Sequence, residues 1–198
     1  MPYSQFTLKK LVKDFNLKIE ENIVLFPEIT PVPPSDFLVR FLDKTVPLAL
    51  ATDTEKSRSE MIIFPVLLEV KEQKCNEVAL FSGNDFTVDP NLGLNGNPDF
   101  LISLDKEQYF ISAPVMTIVE AKNNNLNSGL GQCGAEMLAA KIFNENEGKD
   151  VSAIHGCVTS GTAWKFLRLI NNILYIDKLE LSLFPCDRLL GIFLSILQ

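Results

Sequence analysis

Three side chains in this chain have the types and spacing for hydrolytic chemistry. Asp99 follows Pro98 in the string NGNPDFLIS, and Glu120 and Lys122, separated by Ala121, close the apolar run APVMTIVEAK. Side chains along a strand alternate faces, so Glu120 and Lys122 project to one side and Ala121 to the other, where a small residue suits a packed helix. If the strand that begins at Asp99 pairs next to theirs, a second carboxylate reaches the same end of the sheet. Two carboxylates a few ångströms apart repel each other unless a cation lies between them. Mg²⁺, or Mn²⁺ in its place, takes oxygen ligands and is commonly held by one or two carboxylates together with a phosphate. Such an ion lowers the pKa of a bound water and stabilises charge on the phosphate. Lys122 would then contact the phosphate or orient the attacking water, and its ammonium balances the charge of the carboxylates when no metal is bound.

The elements that must position these groups follow from periodicity. Residues 4–16 carry Phe6, Leu8, Leu11, Val12 and Phe15 at helical spacing. LKIEENIVLF reads as a strand with an acidic interruption. ITPVPPS reads as a turn, after which Ser35 or Asp36 caps a short helix that Pro47 ends. SRSEMIIFPVLLEVKEQ reads as a helix begun near Ser57 or Ser59 and bent at Pro65, which removes one backbone hydrogen bond. EVALFSG, FTVD and PDFLISL carry strand signals, with the turn NLGLNGN before the last of them. Residues 110–122 predict a long strand and GQCGAEMLAAKIFNEN a helix. VSAIHGCVTS, AWKFLRLI and ILYIDKLELSLF predict further strands, and a last helix follows Pro185, capped by Asp187. A helix between the 110–122 and 151–159 strands requires that pair to run parallel, beside an antiparallel run. The expected fold class is α/β in its mixed, α+β form: a central mixed β-sheet flanked by helices on both faces. Residues 1–54 read as an N-terminal extension packing on a domain of residues 55–198 that ends in the C-terminal helix, the whole forming one compact unit.

The candidate residues resemble the PD-(D/E)XK nuclease superfamily, whose core is the restriction-endonuclease-like fold. Its pattern places an Asp at a strand start, a Glu-x-Lys on the next strand, commonly a Glu on a preceding helix, and often a Gln on the following helix. Asp99 with Pro98, Glu120 and Lys122 match directly. Glu60 in SRSEMIIF sits on the preceding helix, and Gln132 in GLGQCGAEM at the start of the following one. The likeness spans residues 55–170, and the element order agrees with the family core. It implies a Mg²⁺-dependent nuclease (Mn²⁺ serving equally) that hydrolyses phosphodiester bonds of nucleic acid, DNA first. Asp99, Glu120 and Glu60 would bind the metal, Lys122 would act at the phosphate or water, and Gln132 would support the site. A catalytically silent binding or assembly module that keeps the fold is the alternative.

Each residue also has a plainer reading. Asp99 can be a turn residue, Glu120 and Lys122 a solvated strand edge, and Glu60 a first-turn acid favoured by the helix dipole, with Glu69 its fallback in the site. Gln132 can be an ordinary residue of a helix N-terminus. His155, in an apolar strand, reads as a core histidine, and Trp164 as a core residue whose neighbour Lys165 faces the other way. Gly129, Gly131 and Gly134 spell G-x-G-x-x-G before a helix, the dinucleotide fingerprint. In that motif the glycines follow the strand directly, whereas here a polar run intervenes. The glycines are better read as permitting a tight approach of the helix start to the sheet.

The balance of charge is acidic, −7 overall, and the excess is local: residues 51–110 hold five Lys or Arg against eleven Asp or Glu. That disfavours long-range attraction to nucleic acid, whose affinity comes largely from Lys and Arg at phosphates, and places the negative charge where Glu60 and Asp99 lie. Cys75, Cys133, Cys157 and Cys186 form no CxxC pair, and with a single histidine they give no zinc signal. MPYSQFTLKK has no apolar leader core. Four buried or half-buried thiols in a reducing cytoplasm, no membrane span and a reasonable homodimer are the expectations. The apolar segment LLGIFLSILQ is assigned to core packing or a subunit contact.

Overall fold

The computed structural model describes residues 2–123 and 125–198; Met1 and Asn124, the latter in the polar run after Lys122, lie outside them. Among the described residues eight strands form one mixed sheet. In chain order they are β1 (Lys18–Ile23), β2 (Ala79–Ser82), β3 (Phe100–Ser103), β4 (Val115–Ala121), β5 (Ile154–Thr159), β6 (Ala163–Ile170), β7 (Ile173–Asp177) and β8 (Leu181–Ser182). They lie side by side as β1-β7-β6-β5-β4-β3-β2, with β8 against β6. The β4–β5 and β1–β7 pairs are parallel and the others antiparallel. The expected mixed sheet is thus present, and the helix Leu130–Asn146 makes the crossover between the parallel central strands.

Helices α1 (Leu8–Phe15) and α5 (Leu130–Asn146) cover one face. Helices α2 (Asp36–Thr52), α3 (Glu55–Arg58), α4 (Phe64–Gln73) and α6 (Cys186–Ile196) cover the other. Each face has its own apolar core, because burial of one face of a sheet and one stripe of each helix is what removes their apolar surface from water. The C-terminal helix seats Leu189, Leu190, Ile192 and Phe193 in the second core, where Phe193 packs edge-on against Trp164 and Phe166. Its apolar residues serve the interior, so they give no support to a subunit contact. The first 54 residues supply an edge strand, α1 and all of α2.

Several local expectations are corrected. Pro47 does not end α2, which runs on to Thr52. Proline and Asp43, whose carbonyl loses its donor, are both exposed, so water satisfies the carbonyl, while Leu42 and Ala49 keep the helix packed. The next helix begins at Thr54, whose side chain accepts from the Ser57 N–H in a capping box, rather than at Ser57 or Ser59. Residues Ser59–Ile63 form a π turn between α3 and α4. Pro65 cannot donate to the carbonyl of Met61, and the hydroxyl of Thr45 on α2 takes its place at 2.8 Å. FTVD is no sheet strand: Phe86 and Val88 donate to the carbonyls of Gly96 and Leu94 within their own loop. Pro114, lacking an N–H, precedes the first residue of β4, which is shorter than the 110–122 run. Asp187 lies in the first turn of α6, and Pro185 is the capping position. Cys75 is exposed, while the other three thiols are buried. Among the described residues no helix is long and apolar enough to cross a membrane.

Candidate metal centre

The register of β3 on β4 places Phe100 opposite Val119, so Asp99, one residue earlier, falls opposite Glu120. Directly opposed residues of an antiparallel pair project to the same face. Asp99 Oδ2 accepts the N–H of Ala121 at 2.7 Å, which fixes the carboxyl at the end of β4. Ala121 turns to the other face and packs with Ile62, Ile63 and Val66, as its small size anticipates. Glu120 is buried, and its Oε1 accepts from Lys122 Nζ at 2.6 Å. Among the described residues its second oxygen, Oε2, is buried and meets no N–H or hydroxyl donor, and the Asp99 carboxyl stands within hydrogen-bonding reach of Glu120.

Gln132, in the first turn of α5, links this pair to a further acid. Its Oε1 lies 3.5 Å from Lys122 Nζ, and its Nε2 donates to Glu136 Oε1 at 3.1 Å. Glu136 is fully buried one helical turn on, its Oε2 also unpartnered. Gly129 makes room for this arrangement: a Cβ there would lie 2.7 Å from Val158 Cγ1 and 3.1 Å from Lys122 Cγ. Gly131 and Gly134 depart from the expected purpose to different degrees. A Cβ on Gly131 would meet the carbonyl of Phe6, so that glycine admits the N-terminal segment; one on Gly134 would meet both Leu11 of α1 and Leu174 of β7, so it serves the N-terminal helix and the sheet together.

Electrostatics follow from burial. Desolvation pushes Glu120 up to about 8, with the neighbouring Asp99 charge adding to it and Lys122 opposing it. Asp99 is raised for the same first reason, restrained by the Ala121 N–H and by Lys122. Burial works against the Lys122 ammonium, but the Glu120 carboxylate beside it holds its pKa above the ordinary value. Glu136 is raised well above a normal carboxyl by burial and then by Glu120. One ammonium does not offset two carboxyls plus their desolvation, so the Asp99–Glu120 pair retains a proton near neutral pH.

Beside the pair, on the α3–α4 side, is a groove of about 570 Å³ lined by Glu55, Ser59, Glu60, Phe64, Asp99 and Ala121, among others. Glu60 is on its wall with a side chain 60% exposed, 3.7 Å from Lys56. Of the candidate residues, Asp99, Glu120, Lys122 and Gln132 converge, while Glu60 shares only the groove with Asp99. Glu69 is excluded as a substitute: its carboxylate is tied to Ser35 and Gln73. Among the described residues no three His, Cys, Asp or Glu groups gather as a ready metal cage. The two-carboxylate site nevertheless suits a cation that completes its shell with water and phosphate, because a cation would take the place of the proton that the crowded Asp99 and Glu120 carboxyls share. His155 is buried and Trp164 donates to the carbonyl of Gly161, both as core residues.

Two nearby acids escape the motif. Glu136 lies four residues after Gln132, a spacing that puts both on one helix face. Glu55 accepts from the N–H of Asn123 and its charge raises both Asp99 and Lys122. Its position was hidden because the helix start falls earlier than the serines suggest. Set against known proteins, the sequence matches no protein-family model, and no curated protein matches it.

Proposed function

We propose that this chain is a metal-dependent phosphodiesterase that hydrolyses nucleic acid, DNA first, in the manner of a PD-(D/E)XK nuclease. The observation that carries this reading is the convergence of Asp99 and Glu120 on adjacent strands, their carboxyls within hydrogen-bonding reach of each other and one Glu120 oxygen held by Lys122. Asp99 and Glu120 would hold a divalent cation such as Mg²⁺ or Mn²⁺, which would supply positive charge to the phosphate and lower the pKa of a nearby water. Asp99 is oriented by the Ala121 N–H, and Lys122 presents its ammonium to a phosphate oxygen or the attacking water. Gln132 limits the swing of Lys122 Nζ, and Glu60 assists from the groove wall. A reducing, cytoplasmic setting suits four free thiols.

The acidic groove, with Glu55, Glu60 and Asp99 against Lys56, favours a second reading, a silent module that keeps the fold. The two separate by calorimetry with Mn²⁺ and by cleavage of labelled oligonucleotides. On the first reading wild type binds Mn²⁺ and cleaves, and Asp99→Ala and Glu120→Ala do neither while remaining folded. Normal cleavage by Glu120→Ala overturns the site, and metal binding without cleavage of any oligonucleotide favours the silent module.

A further inference from the structure

We infer that the groove beside Asp99 takes a single unpaired base, stacked on Phe64, and that the substrate is therefore single-stranded nucleic acid or an unpaired end. This rests on the phosphodiesterase reading of Asp99 and Glu120 and names the substrate class of that site.

Phe64 is the first residue of α4 and is 38% exposed, although its neighbours Ile63, Pro65, Val66 and Leu67 are buried. The π turn just before it carries one residue more than an α turn, and such insertions recur at functional sites. The ring is not free to swing. It stacks on Phe100, with centroids 6.4 Å apart and planes 29° from parallel, and Phe100 itself is buried. Phe100 thus backs one side of the ring, and the exposed part faces the groove that Asp99 also lines. A base placed there would extend an existing two-ring stack beside Asp99.

Volume and charge select what enters. At about 570 Å³ the groove has the size of a small-ligand pocket, with room for a nucleotide unit. Its walls carry Glu55, Glu60 and Asp99 against Lys56, so they repel phosphate while tolerating an uncharged base. The scissile phosphate would stay at the Lys122 end. A second strand would bring its own phosphates against these acids. Stacking on aromatic rings is how proteins hold unpaired bases irrespective of sequence.

The test uses 2-aminopurine within a single-stranded oligonucleotide and the matching duplex, with Ca²⁺ in place of Mg²⁺ so that binding is read without turnover. Wild type is expected to bind the single strand more tightly than the duplex and to quench the probe. Phe64→Ala should bind the single strand roughly tenfold more weakly without quenching, and Phe64→Trp should restore both. Phe64→Leu, which keeps an apolar side chain at the position, should behave as Phe64→Ala, so a packing effect is separated from stacking. In Mg²⁺ the same substitutions should raise KM and leave kcat within about threefold. Equal quenching by wild type and Phe64→Leu, or tighter binding of the duplex, overturns the inference while leaving the phosphodiesterase intact. Absence of both binding and cleavage in wild type overturns the two together.

Discussion

Glu120→Gln tests the electrostatic account of the site directly, in EDTA and without any substrate. Glu120 titrates near its ordinary 4.5 in the unfolded chain and is pushed up to about 8 in the folded one, by burial and then by Asp99. Its folded pKa is raised, so below about 4.5 the group costs nothing, and stability falls as pH rises through the window between the two values. Integrated to about pH 8, that loss is about 4 kcal/mol, a large part of the 5–15 kcal/mol typical of a domain. The amide cannot ionise, so the variant should lack the decline. Urea unfolding of both proteins at intervals from about pH 5 to pH 8.5 yields the difference in stability, in which the titrating groups remote from Glu120 cancel and those it touches shift with it. The difference should grow in favour of Glu120→Gln by roughly 3–4 kcal/mol across the range. A difference that stays constant with pH would mean that Glu120 ionises normally, and the crowding of Asp99 and Glu120 would not be what it is described to be. Added Mn²⁺ should remove most of the wild-type decline and leave the variant unmoved.

Other outcomes follow from neighbouring residues. Lys122→Ala should lower kcat by roughly 10²-fold or more while changing Mn²⁺ affinity much less, since its ammonium is assigned to the phosphate or water; calorimetry and single-turnover cleavage compare the two, and a loss confined to metal binding contradicts the assignment. Gly129→Ala should cost about 1–3 kcal/mol in urea unfolding, because the new methyl overlaps Val158 and the Lys122 stem, and should slow cleavage as well; unaltered stability would mean the gap closes freely. His155, held down to about 4 by burial and then by Arg168, resists a proton that the unfolded chain accepts below about 6.5. Its folded pKa is depressed, so its contribution is whole above about 6.5 and is lost toward pH 4, amounting to about 3 kcal/mol. His155→Leu should flatten that acid limb in urea titrations, and an unchanged limb would assign it elsewhere.

The central strands were legible because their residues obey one rule at a time. VMTIVEA and IHGCVT are apolar on both faces, as strands covered by helices on both sides must be, and the Ala- and Met-rich segment between them could only be a crossover helix. Alternation put Glu120 and Lys122 on one side, and the pairing of β3 with β4 brought Asp99 to them. Local signals failed where tertiary partners override them. Pro65 predicted a bend in an α-helix, but the Thr45 hydroxyl satisfies the Met61 carbonyl and a π turn absorbs the misfit. Phe86 and Val88 have strand-like composition, yet the Tyr3 hydroxyl donates to the Phe86 carbonyl and keeps that loop folded on itself. Glu136 went unread because a buried acid has no signature of its own; only its spacing from Gln132 links it to the site. Glu60, mostly exposed beside Lys56, lies on the wall of the groove that Asp99 also lines.

The pairing of β1 with β7 bears on how the chain is made. Lys18 meets Ile173, so β1 leaves the ribosome well before the strand it pairs with. Until then β1 offers bare N–H and C=O groups to any passing strand. Its sequence KIEENI carries Lys18, Glu20 and Glu21, and most of its side chains are exposed even in the finished fold. Those charges discourage self-association during the delay, in the way that gatekeeper residues protect exposed strands. The acidic interruption that weakens β1 as a strand is thus what lets it remain unattached until its neighbour arrives.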